Sequence, residues 1–312
     1  RQREVRPPAM KLEFLLIDVF TDQPFGGSRL YLFPGGADVP AELMQKLAME
    51  LGPGETAFIV PARSGAEDRS GLRVFTPAAE IPFGGHSVLG ATFALDHYGL
   101  RSGAGEHGPF TWELEAGPYQ VLTRPREGAR VYSLLQDKPV FMVQYFRRGK
   151  VARTLGLEEE AIAITGLPCE VISTGLPIHI VPLGSLEAMS AINLRHREAD
   201  ALARDLGFGD LFVFTCETVG EDATVHCRMF APHFGIPEDA ASGAATGALM
   251  AYLAKHRLIR LADRVRIVSE QGLELGRPSR VVAEADIHGG QAVNIEVGGQ
   301  CVLVGTGTIN IP

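Results

Sequence analysis

Cysteine is scarce in this 312-residue chain. Cys169, Cys216, Cys227 and Cys301 are too few and too spread for a disulfide framework, and no pair has the spacing of a zinc knuckle or a redox motif. That pattern is read as a reducing cytoplasm. Long apolar runs are missing too; none approaches the roughly 20 residues that span a bilayer as a helix. Positive charge is in deficit. The formal charge is −8 with Lys and Arg scattered, which argues against nucleic acid as a partner. One basic cluster, "FRRGKVAR" at 146–153, is read as a solvated linker. Metal-ligand spacing is also lacking. His226 and His233 lie seven apart, His97 and His107 ten apart, and no carboxylate partner shares a helix face with them. Glycine-rich "FGGSRLYLFPGGAD" lacks the Gly-Lys-Ser/Thr of a phosphate loop and is read as turns. No secretory pattern opens the chain. Residues 1–10, "RQREVRPPAM", are expected to be an appended or disordered lead with Met10 as the natural start.

What is present is an internal repeat. A shift of 155 positions carries "RVFTPAAEIP" (73–82) onto "RMFAPHFGIP" (228–237) and "LAMELGPGE" (47–55) onto "LARDLGFGD" (202–210). Two matches at one offset, close to half the chain, point to duplication. The predicted organisation is two similar halves, 11–140 and 141–312. In each, an amphipathic segment ending in glycine ("PAELMQKLAMEL", "HREADALARDL") precedes a β-rich run ("ETAFIV", "DLFVFT"). Each half then holds a helix apolar nearly all round, "HSVLGATFALDHYGL" and "SGAATGALMAYLAKH", which predicts burial. Short β segments follow both. The predicted fold is α/β, two pseudo-symmetric halves, each a curled sheet around a central apolar helix.

Glycine-rich stretches, "PFGGHSVLG" and "PEDAASGAATG", stand at the mouths of both buried helices. The first amides of a helix lack internal partners, and the dipole adds partial positive charge there. Glycine leaves those amides bare, so each mouth suits a small anion, most simply a carboxylate. Ser87 and Ser242 are predicted N-caps. If the halves face each other, both mouths serve one cleft.

At these residues the chain resembles the phenazine-biosynthesis PhzF family, whose fold is shared with diaminopimelate epimerase. Five ordered blocks carry the resemblance: "DVFTDQPFGGSRL", "GPGETAFIV", "FTPAAEIPFGGHSVLG", "RMFAPHFGIPEDAASGAATGAL" and "EQGLELGRPS". By position, Glu55 matches the family's acid/base glutamate, His86 its Gly-His histidine and Asp239 its Glu-Asp aspartate. Gly85 and Gly243 match the amide-donating glycines. Ser28, Ser242 and Ala244 fall at neighbouring substrate-binding positions. The resemblance implies a cofactor-free and metal-free isomerase that moves a proton on dihydrohydroxyanthranilate, and it implies a homodimer. The chain departs from the family pattern at Ser28 (Asn), Arg29 (Pro), Gly54 (Ser) and within Ala240–Ala244, where a hydroxyl is lost.

The residue types fit that chemistry. Proton abstraction from carbon needs a positioned base, and Glu55 opens an apolar strand that would withdraw it from water. His86 would hold a carboxylate or relay the proton, and Asp239 would orient a polar substituent. Asp210, the repeat partner of Glu55, and Glu80 are read as structural. Cys227 is read as a buried apolar residue. Two alternatives stay open. One is an amino-acid epimerase of the same fold, although its paired cysteines are replaced by Gly84 and Ser242. The other is a binding homologue without catalysis.

Overall fold

The computed structural model describes residues 10–66, 68–100, 108–126, 128–232 and 236–311. The expected lead lies outside them except for Met10, as do His107 and His233. The chain forms two compact units. One comprises residues 1–19, 29–124 and 301–312; the other comprises 20–28 and 125–300.

In chain order the elements are β1 (Met10–Val19), β2 (Ser28–Phe33), α1 (Ala41–Leu51), β3 (Glu55–Pro61), β4 (Arg69–Phe75), β5 (Glu80–Ile81), α2 (Gly85–His97), β6 (Phe110–Leu114) and β7 (Gly117–Arg126). Next come β8 (Ala129–Leu135), β9 (Val140–Tyr145), α3 (Arg148–Leu155), α4 (Glu160–Ala163), β10 (Cys169–Ser173), β11 (Pro177–Pro182), α5 (Leu186–Ser190), α6 (His196–Leu206), β12 (Leu211–Thr215), β13 (Val225–Ala231) and β14 (Ile236–Asp239). The chain finishes with α7 (Gly243–Lys255), β15 (Arg264–Gln271), β16 (Ser279–His288), β17 (Gln291–Gly299) and β18 (Cys301–Ile311).

In the first unit β2 runs parallel to β3, β3 antiparallel to β4, and β4 parallel to β6, which pairs with β7. β18 is antiparallel to β1, and β5 folds back on the end of β4. The second unit repeats the series: β11 parallel to β12, β12 antiparallel to β13, β13 parallel to β15, β15 antiparallel to β16, and β14 on the end of β13. β16 continues to β17 and β8, while β9 flanks β10.

In each unit the strands curl around one apolar helix. α2 packs on β1, β3 and β18, and α7 packs on β10, β11, β16 and β17. From Ala245 to Ala254 every residue of α7 is buried, and α2 is buried from Ser87 to Thr92. Helices amphipathic on one side cover the outer faces. α1 lays Met44, Leu47 and Ala48 on Phe33, Phe58 and Phe75. Fully burying an aliphatic or aromatic side chain contributes about 1.5–3 kcal/mol, so these layers supply much of the favourable free energy.

Two expectations require correction. The basic stretch 146–153 is not a solvated linker. It enters α3, where Val151, Ala152 and Leu155 join the core under β11 and β12. Apolar residues one turn apart outweigh the basic ones, whose charges lie outward. Lys150 pairs with Asp205 at 2.7 Å, and Arg148 donates to the Leu167 carbonyl. The glycine-rich stretch after Phe25 also holds more than turns, because Ser28–Phe33 alternates inward apolar side chains and forms β2.

Candidate active site

The residues singled out from the sequence fall into two groups, one in each unit. The first gathers at the mouth of α2. Glu55 is the first residue of β3, where strand alternation turns Phe58 to the α1 side and Glu55 to the α2 side. The residue before it, Gly54, has φ +125, and a Cβ there would lie 3.0 Å from the Arg29 carbonyl oxygen. Only glycine delivers the chain into β3 at this angle. The Glu55 carboxylate accepts a 2.6 Å hydrogen bond from Ser87 Oγ. His86 Nε2 lies 3.4 Å from the same oxygen, within ion-pair range but without hydrogen-bond alignment. Both side chains are mostly buried, with 17% of Glu55 and 15% of His86 exposed.

The N-cap of α2 is Gly84, and no side chain caps this end. Ser87 was expected to cap it. It sits in the third helical position instead, fully buried, and its hydroxyl serves Glu55. The amides of Gly85, His86 and Ser87 are left to the helix mouth.

The second group surrounds the turn between β14 and α7. Ser242 caps α7 as expected, its Oγ accepting from Ala245 N at 3.3 Å. Asp239 closes β14, and its Oδ1 accepts from Ala241 N at 3.3 Å. Ser28 is buried and lies 3.4 Å from that oxygen while donating to the Ala241 carbonyl at 2.9 Å. Gly243 and Ala244 are the first two residues of α7, and both are partly exposed. Among the described residues no cluster of His, Cys, Asp and Glu could hold a metal ion.

Each group has its own strut, of the same design. Arg73 grips Glu80 with Nε and Nη2 at 2.8 and 2.7 Å; Arg228 grips Glu238 through the same atoms at the same distances. Each bidentate pair ties the short strand leading to the helix mouth back onto β4 or β13. The pairs also correct the repeat. Arg73 and Arg228 are 155 apart, but Glu80 and Glu238 are 158 apart, as are Gly85 and Gly243. The Ile-Pro identity at 81–82 and 236–237 is therefore not a structural equivalence. Ile81 pairs with Val74, whereas Asp239 pairs with Met229, the counterpart of Val74.

Sequence reasoning passed over several residues that shape these groups: Gln271, Ser279 and Arg277, which reach the second group from a distant turn. Their presence in the closing "EQGLELGRPS" block was the available signal. Nearby, His226 is buried between Glu270 and Glu274, 2.9 Å from each. Burial opposes its charge, but hydrogen bonds to both carboxylates outweigh that and raise its pKa. Cys227 is buried as expected, and desolvation pushes its thiol well up.

Strands curled, in each unit, around an apolar helix whose mouth carries polar groups define the epimerase-like class of α/β proteins. A hydroxyproline epimerase from Agrobacterium vitis shares this fold, with a TM-score of 0.60 at 12% identity over 96% of this chain and 93% of that one. The family model described as phenazine biosynthesis-like protein matches residues 17–307. Trans-2,3-dihydro-3-hydroxyanthranilate isomerase from Pseudomonas fluorescens is 32% identical over 302 residues, 95% of this chain and 98% of that protein. The crystal structure of a PhzF-family phenazine biosynthesis protein from Bacillus anthracis has a TM-score of 0.88 at 24% identity, covering 97% of this chain and 100% of that one. The chain belongs to the phenazine biosynthesis-like PhzF family and is an isomerase.

Proposed function

We propose that the protein isomerises trans-2,3-dihydro-3-hydroxyanthranilate or a close carboxylate-bearing analogue by acid/base catalysis, without cofactor. Glu55 takes the proton from C3 and, after exchange with solvent, delivers a proton elsewhere on the conjugated ring. His86 and Asp239 position the substrate or relay the proton. The amides of Gly85 and Gly243 bind the anionic end, and Ser28, Ser242 and Ala244 also take part in binding substrate.

One observation carries the reading: the Glu55 carboxylate is fixed by Ser87 beside His86, against a glycine at the first position before α2. A carboxylate held by a short charge-assisted bond is preorganised for proton transfer. The slots that hold opposed cysteines in epimerases of this fold are Gly84 and Ser242, so a two-thiolate racemisation has no base here. The 32% identity to a dihydrohydroxyanthranilate isomerase over 95% of the chain favours that substrate over an amino acid. A homodimer working in the cytoplasm completes the reading, and sedimentation measures the former.

The test is incubation in deuterated water with trans-2,3-dihydro-3-hydroxyanthranilate and, separately, with a panel of carboxylates and amino acids. The wild type is expected to incorporate label, and Glu55→Gln to lose it. Label that survives in Glu55→Gln removes Glu55 as the base. Label appearing only at the α-carbon of an amino acid replaces the isomerase reading with an epimerase.

A further inference from the structure

We propose that the turn from Gln271 to Ser279 is a brace that aims Asp239 and determines which amides remain as donors at the mouth of α7. Gln271 and Arg277 are then positioning residues for the reaction. The inference rests on the preceding reading for the role of Asp239, but the brace itself stands on the contacts of the second unit.

Three consecutive carbonyls ahead of α7 each accept from a buried side chain. Gln271 Nε2 donates to Asp239 O at 2.7 Å, Ser279 Oγ to Ala240 O at 2.9 Å, and Ser28 Oγ to Ala241 O at 2.9 Å. Gln271 uses both ends of its amide, since its Oε1 accepts from Ser242 N at 3.2 Å. It is wholly buried, while Ser279 and Ser28 are 2% and 5% exposed. Irregular backbone is ordinarily satisfied by water; here it is held on fixed protein groups.

The other side of the same turn holds the loop that delivers Ser28. Arg277 donates from Nε to Gly27 O at 2.9 Å and from Nη2 to Gly26 O at 2.7 Å, and Gly27 N donates to Pro278 O at 3.0 Å. The packing leaves no slack. A Cβ on Gly26 would fall 2.5 Å from Pro278 O, and one on Gly272 would collide with the carbonyl oxygens of Arg277 and Ala240. Loops 26–28 and 239–242 are thus locked to one turn.

The consequence falls on Asp239 and its neighbours. Fixing the peptide after Asp239 through Gln271 and the next through Ser279 fixes its Cα–Cβ direction, while Ala241 N holds Oδ1. The amides are sorted as well. Ala241 N is taken by Asp239, Ser242 N by Gln271 and Ala245 N by Ser242 Oγ. Gly243 and Ala244 are what the mouth has left to offer a ligand among the described residues. Gln271 therefore narrows a run of donors to an adjacent pair.

The experiment compares Gln271→Met, Gln271→Glu, Arg277→Met and Asp239→Asn in the full chain. It reads residue-resolved amide exchange, urea unfolding, and label incorporation into trans-2,3-dihydro-3-hydroxyanthranilate. Gln271→Met is expected to speed exchange at Ser242 at least about tenfold while exchange inside α7 stays slow, and to lower kcat by ~10²-fold, as misplacement of a reacting group does. Glutamate at 271 accepts from Ser242 N but cannot donate to Asp239 O, so Gln271→Glu is expected to restore Ser242 protection without restoring kcat. In the Asp239→Asn background Gln271→Met should cost little more. An equal loss with and without Asp239, or a lowered urea midpoint with kcat and KM untouched, makes the turn merely structural and overturns the proposal. If Gln271→Met does not fold, Arg277→Met reaches the same loop through Ser28 and must also depress kcat. If the wild type fails to turn over this substrate, the functional reading falls; the brace still stands or falls on Ser242 exchange.

Discussion

A Cβ placed on Gly84 falls 2.6 Å from Glu55 Oε2 and 2.9 Å from Val74 Cγ1. The volume that a side chain at 84 would fill is occupied by the carboxylate of residue 55. Gly84 has φ −136, which any residue adopts, so the demand for glycine is steric and not conformational. Gly84→Ala is expected to displace Glu55, lowering proton-exchange activity by ~10²-fold and stability by about 1–3 kcal/mol. In a Glu55→Gln background the further activity loss should vanish. Stopped-time label incorporation and urea melts read both effects.

Ser87 makes a second, gentler test of the same carboxylate. Ser87→Ala removes the 2.6 Å donor without adding atoms. A hydrogen bond to a charged group contributes about 1.5–3 kcal/mol, so kcat is expected to fall roughly ten- to a hundredfold. The circular dichroism spectrum should stay that of the wild type. An unchanged kcat would show that the Ser87 hydrogen bond does not set the reactivity of Glu55.

The two struts differ in burial, and that sets what breaking them costs. The Arg228–Glu238 side chains are 9% and 12% exposed, whereas those of Arg73–Glu80 are 28% and 33% exposed. Arg228 also donates to Met189 O at 2.9 Å. Arg228→Met leaves a mostly buried carboxylate unpaired and is expected to cost about 3 kcal/mol. Arg73→Met should cost at most ~1 kcal/mol. Pairing Arg228→Met with Glu238→Gln should recover part of the loss in urea unfolding.

Two buried histidines tilt the pH dependence of stability in opposite directions. His179 is 1% exposed, and desolvation lowers its pKa from 6.5 to about 4. Between those values the unfolded chain binds a proton that the folded one refuses, so stability falls as pH drops from about 6.5 to about 4. His179→Leu is expected to flatten that limb, by as much as about 3 kcal/mol at one unit per ~1.4 kcal/mol. His226 works the other way. Its raised pKa contributes stability that is full below 6.5 and fades as pH rises through the folded value. Burial raises the pKa of its partner Glu274, but the hydrogen bond to His226 and neighbouring charges outweigh it and leave it lowered, which adds stability above 4.5 that is lost as pH falls. His226→Gln is therefore expected to cost most between about pH 4.5 and 6.5. Thermal melts across pH 4–9 resolve the two variants.

The parts of the fold that were legible in the sequence are those where one physical demand repeats. α2 and α7 are apolar on all sides, and α1 and α6 carry one apolar face ended by glycine, so periodicity located them within a few residues. Family motifs singled out Glu55, His86 and Asp239, and the structure places polar partners around each. What stayed hidden was non-local. Ser28 and Ala241 are 213 residues apart, and Gln271 reaches Asp239 across 32; no window of sequence contains such pairs. β5 has two residues, too short for alternation to register. The identical Ile-Pro letters at 236–237 disguised a three-residue change of offset that only strand pairing reveals.

β18 lies against β1 along nearly its whole length, from Met10 opposite Ile311 to Val19 opposite Cys301. Covering this edge of β1 therefore waits for a strand that lies far along the sequence. Until then β1 pairs only with β2 and its other edge stays open, the kind of surface that chaperones shield. Loop-closure entropy over nearly three hundred residues makes this a slow final docking step, so refolding should end with burial of the β1 edge long after the helices have formed.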